Sequence, residues 1–393
     1  MLIRNKQQLV NFIEDLNDWI ENKKSSLFDL NKDASLDTYY WIDEDYKTTV
    51  SYLKNYIKNH YYPGIENKLK PKGRILIILS YNEPFILSII PILNALVVDN
   101  EVILRPSEGN ASFVKMIWQE SGLLDNYDLK LNIVSATHDE ISEIIKTVKA
   151  VYFFGSFRVA QKISKICGEN YVAFYPEVET ADVKVFNKDD LSIENDANLT
   201  MEESFTHSGQ TCQRIQGIFV QERFYDDYLK VLKQKFTTFC RSSDLQKFIA
   251  DGYISARDGM IEQLYRDVEK SKPNEMIKLR PVPLLIVKPD IESEFIKNAY
   301  FLPVLWIRPF RSKEDLVDVL NTRKFFLGLN IQSDDNYFIE YIKDNTHFTR
   351  YTVNTTHTNI RPDEGWGGYW PSGFCGYKSW IEYFSDKYVT IGE

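Results

Sequence analysis

Cys212 closes the stretch Glu203-Ser-Phe-Thr-His-Ser-Gly-Gln-Thr-Cys212 and precedes Gln-Arg-Ile-Gln-Gly-Ile-Phe-Val220. Gly209-Gln210-Thr211 reads as a tight turn and the residues after the cysteine as a strand. A turn can hold a side chain toward a cleft with backbone N–H groups beside it. That setting suits a thiolate nucleophile and an oxyanion formed next to it. For an isolated Gly-Gln-Thr-Cys, a buried cysteine near a turn is an equally good reading. Further up the chain, Ser80-Tyr-Asn-Glu-Pro84 follows an apolar run. Alone, the segment reads as an ordinary Asn-containing turn before proline.

The elements that must position these residues alternate. Residues 1 to about 72 look helical, interrupted at Tyr39-Tyr40-Trp41 and Tyr61-Tyr62-Pro63. Strand-like runs at Arg74–Leu79, Glu101–Leu104, Leu129–Val134 and Ala150–Phe154 alternate with helical patterns at Phe85–Val98, Phe113–Gly122, Glu140–Val148 and Arg158–Cys167. Such alternation predicts a parallel sheet flanked by helices, with ligands at the carboxyl ends of its strands. A second alternating section starts near Val183. It includes a helix at Tyr225–Phe239, strands at Leu284–Val287 and Val304–Phe310, and a helix at Lys313–Asn321. A Gly- and Trp-rich loop (Gly365–Gly373) and an edge strand at Lys387–Ile391 follow. The expected divisions are 1–188, 189–382 and a C-terminal strand, 383–393.

With 393 residues, two domains are the natural prior. The composition, 44% hydrophobic and 26% charged, is that of a globular chain. A net charge of −9 argues against nucleic acid or an anionic membrane as the main partner. Cys167, Cys212, Cys240 and Cys375 form no Cys-x-x-Cys pair and suggest neither a disulfide framework nor a zinc site. A reducing, cytoplasmic setting is expected. The most apolar stretch, Ile75–Val98, is broken by Asn82-Glu83-Pro84, so no membrane span is expected.

Taken in order, these segments resemble the aldehyde dehydrogenase superfamily. Cys212 falls in a version of its Phe-x-Asn-x-Gly-Gln-x-Cys nucleophile motif, with His207 in the asparagine position. Ser80–Pro84 resembles the Pro-Trp-Asn-Tyr-Pro loop, and Leu104-Arg-Pro-Ser-Glu108 the Leu-Lys-Pro-Ser-Glu segment with arginine for lysine. Phe153-Phe-Gly155-Ser156 resembles the Phe-x-Gly-Ser segment, with Ala160 for a second glycine. Ala299-Tyr-Phe301-Leu-Pro303-Val304 resembles Glu-x-Phe-Gly-Pro-Val but lacks the glutamate that holds the nicotinamide ribose. Tyr175-Pro-Glu177-Val-Glu179 falls where the family has Glu-Leu-Gly-Gly-Lys, without the two glycines. Val353-Asn354, followed by Gly367-Gly368 and Ser372-Gly373, resembles the closing segment on the substrate side. The resemblance runs from about Arg74 to Ile391. The chain is shorter than usual for the family at its N-terminal end.

The resemblance implies an α/β, aldehyde dehydrogenase-like fold, with a Rossmann-type cofactor-binding domain and an α/β catalytic domain. It implies NAD or NADP as cofactor, a small-molecule aldehyde as substrate and a homodimer. Cys212 would attack the aldehyde, Asn82 would hold the oxyanion, and Glu177 (or, in a second register, Glu179) would activate water. Arg105, Ser107, Glu108, Gly155, Ser156 and Phe301 would hold the cofactor. Glu108 favours NAD by repelling a 2′-phosphate, while Arg105, a good phosphate fork, leaves room for NADP. Without the family, Glu177 and Glu179 read equally as two solvated carboxylates on a loop, and His207 as a packed or surface residue. Two further classes stay open: a reductase of acyl-CoA or acyl-carrier thioesters, which needs no hydrolytic base, and a non-catalytic relative used for binding or assembly.

Overall fold

The computed structural model describes residues 2–61, 69–188, 192–278, 281–348, 350–358 and 380–387. These fall into two compact units, one ending at Val178 and reclaiming the C-terminal residues, the other beginning at Glu179.

The first unit opens with helices. In Lys6–Asn22, Leu9, Phe12, Ile13, Leu16 and Ile20 are all buried, a spacing that lays one apolar stripe on the core. Asn5 caps that helix by accepting the Gln8 N–H. The aromatic cluster Tyr39–Trp41 does not interrupt the helices as the sequence suggested. It opens the helix Tyr39–Lys54, because the Thr38 side chain accepts the Trp41 N–H and supplies the cap.

The strands that follow are β1 (Leu69–Pro71), β2 (Arg74–Ile78), β3 (Glu101–Arg105), β4 (Leu131–Ile133), β5 (Ala150–Gly155) and β6 (Ala173–Val178). β2 to β6 form a parallel sheet in the order β4-β3-β2-β5-β6. Every residue of the helix Pro84–Val97 is buried. Its one strongly polar side chain, Asn94, is satisfied by Tyr52, Tyr56 and the Ile90 carbonyl.

The second unit contains β7 (Asp182–Asn187), β8 (Ile215–Gln221), β9 (Glu275–Lys278), β10 (Leu284–Val287), β11 (Val304–Phe310), β12 (Gly328–Ser333) and β13 (Arg350–Val353). Their order is β13-β12-β7-β8-β11-β10-β9, parallel throughout except for β9 against β10. Trp306 fills the space that a side chain at Gly217 would need; a Cβ there would stand 2.0 Å from the indole. The break between units precedes the expected 188/189 boundary because β7 pairs with β8 and β12.

Finally β14 (Ser385–Lys387) pairs antiparallel with β1. The expected strand Lys387–Ile391 is therefore met by the described residues only at its start, and its remainder lies outside them. No helix among the described residues is long and apolar enough to cross a membrane, and no cluster there could hold a metal ion.

Candidate active site

In the first unit the sequence candidates gather at one edge of the parallel sheet. Asn82 follows β2, Arg105 ends β3, Gly155 ends β5 and Glu177 is the penultimate residue of β6. These are the carboxyl ends of four adjacent strands, where open α/β sheets take their ligands. The Ser80 hydroxyl donates to the Asn82 amide oxygen at 2.7 Å, which fixes how that amide is turned. Helix Pro84–Val97 starts immediately afterwards, with Glu83 in a left-handed conformation and Pro84 in the first turn.

After β3, Arg105 and Ser107 are half-buried and Glu108 is exposed. The Ser107 hydroxyl oxygen is buried with no hydrogen-bond partner among the described residues. An orphaned hydroxyl beside an exposed carboxylate fits a ribose. After β5, Ser156 caps the helix Phe157–Glu169, its hydroxyl accepting the Val159 N–H. The first turn of that helix supplies the positive end of a dipole suited to a pyrophosphate. These residues therefore fit a dinucleotide.

Glu177 does not lie on a solvated loop. It sits within β6, opposite Phe154, and is 5% exposed. Glu179 is half-buried on the link that begins the second unit.

In the second unit the helix Ile193–Phe205 runs into a kinked turn, Thr206–Gly209. His207, Ser208 and Gly209 all take positive φ, at 51°, 59° and 85°. His207 is buried, in keeping with a packed histidine. The third residue must be glycine for a further reason: a Cβ on Gly209 would stand 2.4 Å from the backbone carbon of Leu302. The turn is held by the Ser208 hydroxyl, which accepts the Ala250 N–H at 3.0 Å. Cys212 follows at the amino end of β8 and is half-exposed, with Thr180 donating to its carbonyl. Burial pushes the Cys167 and Cys240 thiols up to about 12, so neither supplies thiolate at neutral pH.

Sequence reasoning missed the clamp that joins the nucleophile turn to the segment 298–304. Arg214, only 1% exposed, donates to the carbonyls of Tyr300 and Val304 and to the Gln216 side chain. Gln216 in turn accepts the Tyr300 N–H and donates to the Asn298 carbonyl. The Tyr253 hydroxyl donates to the Phe301 carbonyl at 2.7 Å. Phe301 and Ala299, both half-buried, are thus fixed relative to Cys212. Burial pulls the Arg214 pKa down to about 9, which leaves it cationic at neutral pH. The available signal was an arginine and a glutamine alternating into an apolar strand, a pattern that marks a buried polar task.

A deeper network was also invisible in the sequence. Lys184, within β7 and fully buried, pairs with Asp196 and Glu203 at 3.2 and 2.7 Å and donates to Thr200. Glu203 accepts the His357 N–H, and the His357 ring lies 2.8 Å from Asp182 and 3.0 Å from Thr352. The network ties β7, the helix before the nucleophile turn, and the approach to the closing segment. Of the closing segment itself, Val353-Asn354 is described, while Gly367, Gly368, Ser372 and Gly373 lie outside the described residues, as does Cys375.

The aldehyde dehydrogenase family model matches residues 35–391. The chain belongs to that family. It is 25% identical over 350 residues to benzaldehyde dehydrogenase YfmT of Bacillus subtilis, covering 84% of this chain and 71% of that protein. It is 23% identical over 332 residues to the rat dimeric, NADP-preferring aldehyde dehydrogenase, covering 81% and 71%. Among solved structures it is similar to an NAD-dependent aldehyde dehydrogenase from Sinorhizobium meliloti, with a TM-score of 0.83 at 18% identity over 98% of this chain and 82% of that one. The protein is an oxidoreductase that oxidises an aldehyde with NAD or NADP.

Proposed function

We propose that Cys212 is the nucleophile of this oxidation. The observation that carries the reading is the contrast among the three described cysteines: Cys212 alone is half-exposed, at the amino end of β8 after a strained turn. Its thiolate adds to the aldehyde carbon to give a thiohemiacetal. The Asn82 amide and the Cys212 backbone N–H donate to the resulting oxyanion. The cofactor supplies an acceptor for the hydride. Arg105, Ser107, Glu108, Gly155 and Ser156 hold its adenosine and pyrophosphate end, and Phe301 flanks its nicotinamide. Glu177, with Glu179 as the second candidate, takes a proton from the water that releases the acid. Its burial in β6 supports a base kept from bulk solvent.

Glu108 favours NAD. Ala299 in place of the ribose-binding glutamate weakens whichever nucleotide binds. The apolar and aromatic aldehydes in the names of the bacterial relatives support a substrate of that kind. A cytoplasmic homodimer completes the reading. The missing glycines around Glu177 favour a second reading, reduction of an acyl thioester, since that direction needs no water-activating base.

The deciding experiment incubates the enzyme with an aromatic aldehyde and oxidised cofactor, and separately with an acyl-CoA and reduced cofactor. Acid from the first supports oxidation; aldehyde from the second alone supports the reductase. Cys212→Ser is expected to abolish turnover and to remove the iodoacetamide label at position 212 near neutral pH without unfolding the chain. Full activity in that variant would assign the chemistry elsewhere.

A further inference from the structure

The catalytic unit carries a cleft of about 380 Å³ away from the nucleophile. It lies where β8, β10 and β11 end, whereas Cys212 precedes β8 at the opposite end of the same strand. Phe219, Phe310 and Leu316 give it an apolar wall, and Lys288, Arg308 and Arg311 give it cations. Of the two carboxylates in its lining, Glu222 is engaged by Arg311 at 3.1 Å, and Asp315 lies in the first turn of the helix Lys313–Asn321. Arg308 donates to the Pro289 carbonyl, with Asp290 the acid whose charge acts on it.

Three observations single out the Lys288–Arg308 corner of this cleft. The Nε of Arg308 is buried without an acceptor among the described residues. So is the hydroxyl of Tyr225, a residue 3% exposed whose ring lies 4.5 Å from the Lys288 ammonium. Lys288 itself holds φ at 48°, a conformation that a lysine adopts only at a cost. Buried donors normally find partners, and these two orphans lie behind the cations that line the cleft. Small-molecule sites in parallel sheets also favour the carboxyl ends of the strands.

We propose that this cleft binds a compact organic anion, its carboxylate or phosphate held by Lys288 and Arg308 and its apolar body seated on Phe219, Phe310 and Leu316. The proposal stands on the second unit alone and does not depend on the roles assigned to Cys212, Asn82 or Glu177.

The test is calorimetric titration of the full-length enzyme with benzoate and with phenyl phosphate. Saturable binding weakened by added salt is expected, and because benzoate is also the acid of an aromatic aldehyde, the part that Lys288→Asn removes is the part held by this cleft. The tighter of the two probes identifies the preferred head group. Lys288→Asn keeps a residue tolerant of left-handed φ while removing the charge, and Arg308→Gln removes the other. Each is expected to weaken binding about tenfold or more, as loss of a charge-assisted hydrogen bond implies. Arg308→Lys should bind within a few-fold of the native chain, and Cys212→Ser should bind unchanged. Should Arg308→Gln lose its fold by circular dichroism, Lys288→Asn decides alone. No saturable binding of either probe overturns the proposal. So does binding undiminished in folded Lys288→Asn, or binding lost in folded Cys212→Ser, which would place the anion beside the nucleophile.

Discussion

Asn82 and Gly209 matter for different reasons, and substitution separates them. Asn82 is proposed as a donor to a charge that exists only during reaction. Asn82→Ala is expected to lower kcat about 100-fold to 1,000-fold, with little change in melting temperature. A loss of activity that merely follows unfolding would return the residue to a turn-forming role. Gly209, by contrast, lies at a φ of 85° against the Leu302 backbone. Gly209→Ala should lose stability, about 1–3 kcal/mol from the backbone conformation alone before the clash is counted. It should also slow turnover by shifting Cys212. Urea unfolding and kcat measured together check this, and an unchanged midpoint would contradict the close approach. Both residues were visible in the sequence because turns and nucleophile loops use few residue types. Thr180 was not visible, since what it holds is a main-chain carbonyl, which leaves no trace in side-chain spacing, and Arg214 left only its alternation with Gln216 in an apolar strand.

Among the elements, β10, β11 and the helix Lys313–Asn321 could be read directly: apolar runs bounded by Pro303 and Ser312 leave few alternatives. β6 was hidden because Pro176 and Glu177 break its pattern. It is an edge strand, where proline is tolerated, and its carboxyl end carries a residue proposed for chemistry. β12 was hidden because Asn330 and Gln332 look like loop residues, yet Asn330 is buried and donates to Thr352 and to the Thr355 carbonyl. The second section was placed from near Val183, but the purpose of Lys184 within β7 was not, because its acidic partners come from a different element. Lys184→Met would leave Asp196 and Glu203 buried without their cation. Breaking such a pair typically costs about 3–5 kcal/mol, far more than the intact pair contributes over an apolar substitute. Chemical denaturation should show a loss on that scale. A midpoint within experimental error of the native chain would show that the carboxylates find other partners or take up protons.

For the whole molecule, alkaline pH should erode both units. In the folded chain the thiols of Cys167, in the first unit, and Cys240, in the second, are raised by burial from 9.0 to about 12. Below pH 9 both states keep the proton and the stabilisation is fully present. Above it the unfolded chain ionises first, so stability falls between about pH 9 and 12. Melting temperatures from pH 8 to 10.5 should decline. The decline should be shallower in Cys167→Ala/Cys240→Ala, and an unchanged slope would assign it to other groups. Neither thiol should react with iodoacetamide near pH 7.5 in the native state.

The pairing of β1 with β14 has a consequence in time. Lys72 and Asp386, 314 residues apart, meet beside that small sheet, and the whole second unit lies between them in the chain. A ribosome adding roughly 5–20 residues per second needs about 15 s to a minute to cover the distance. Through that interval the first unit waits with one strand unpartnered and the Tyr152 hydroxyl lacking the Tyr383 carbonyl it finally donates to. The second unit can complete its own sheet meanwhile. The part of the first unit made earliest is therefore completed only after the second unit has been made.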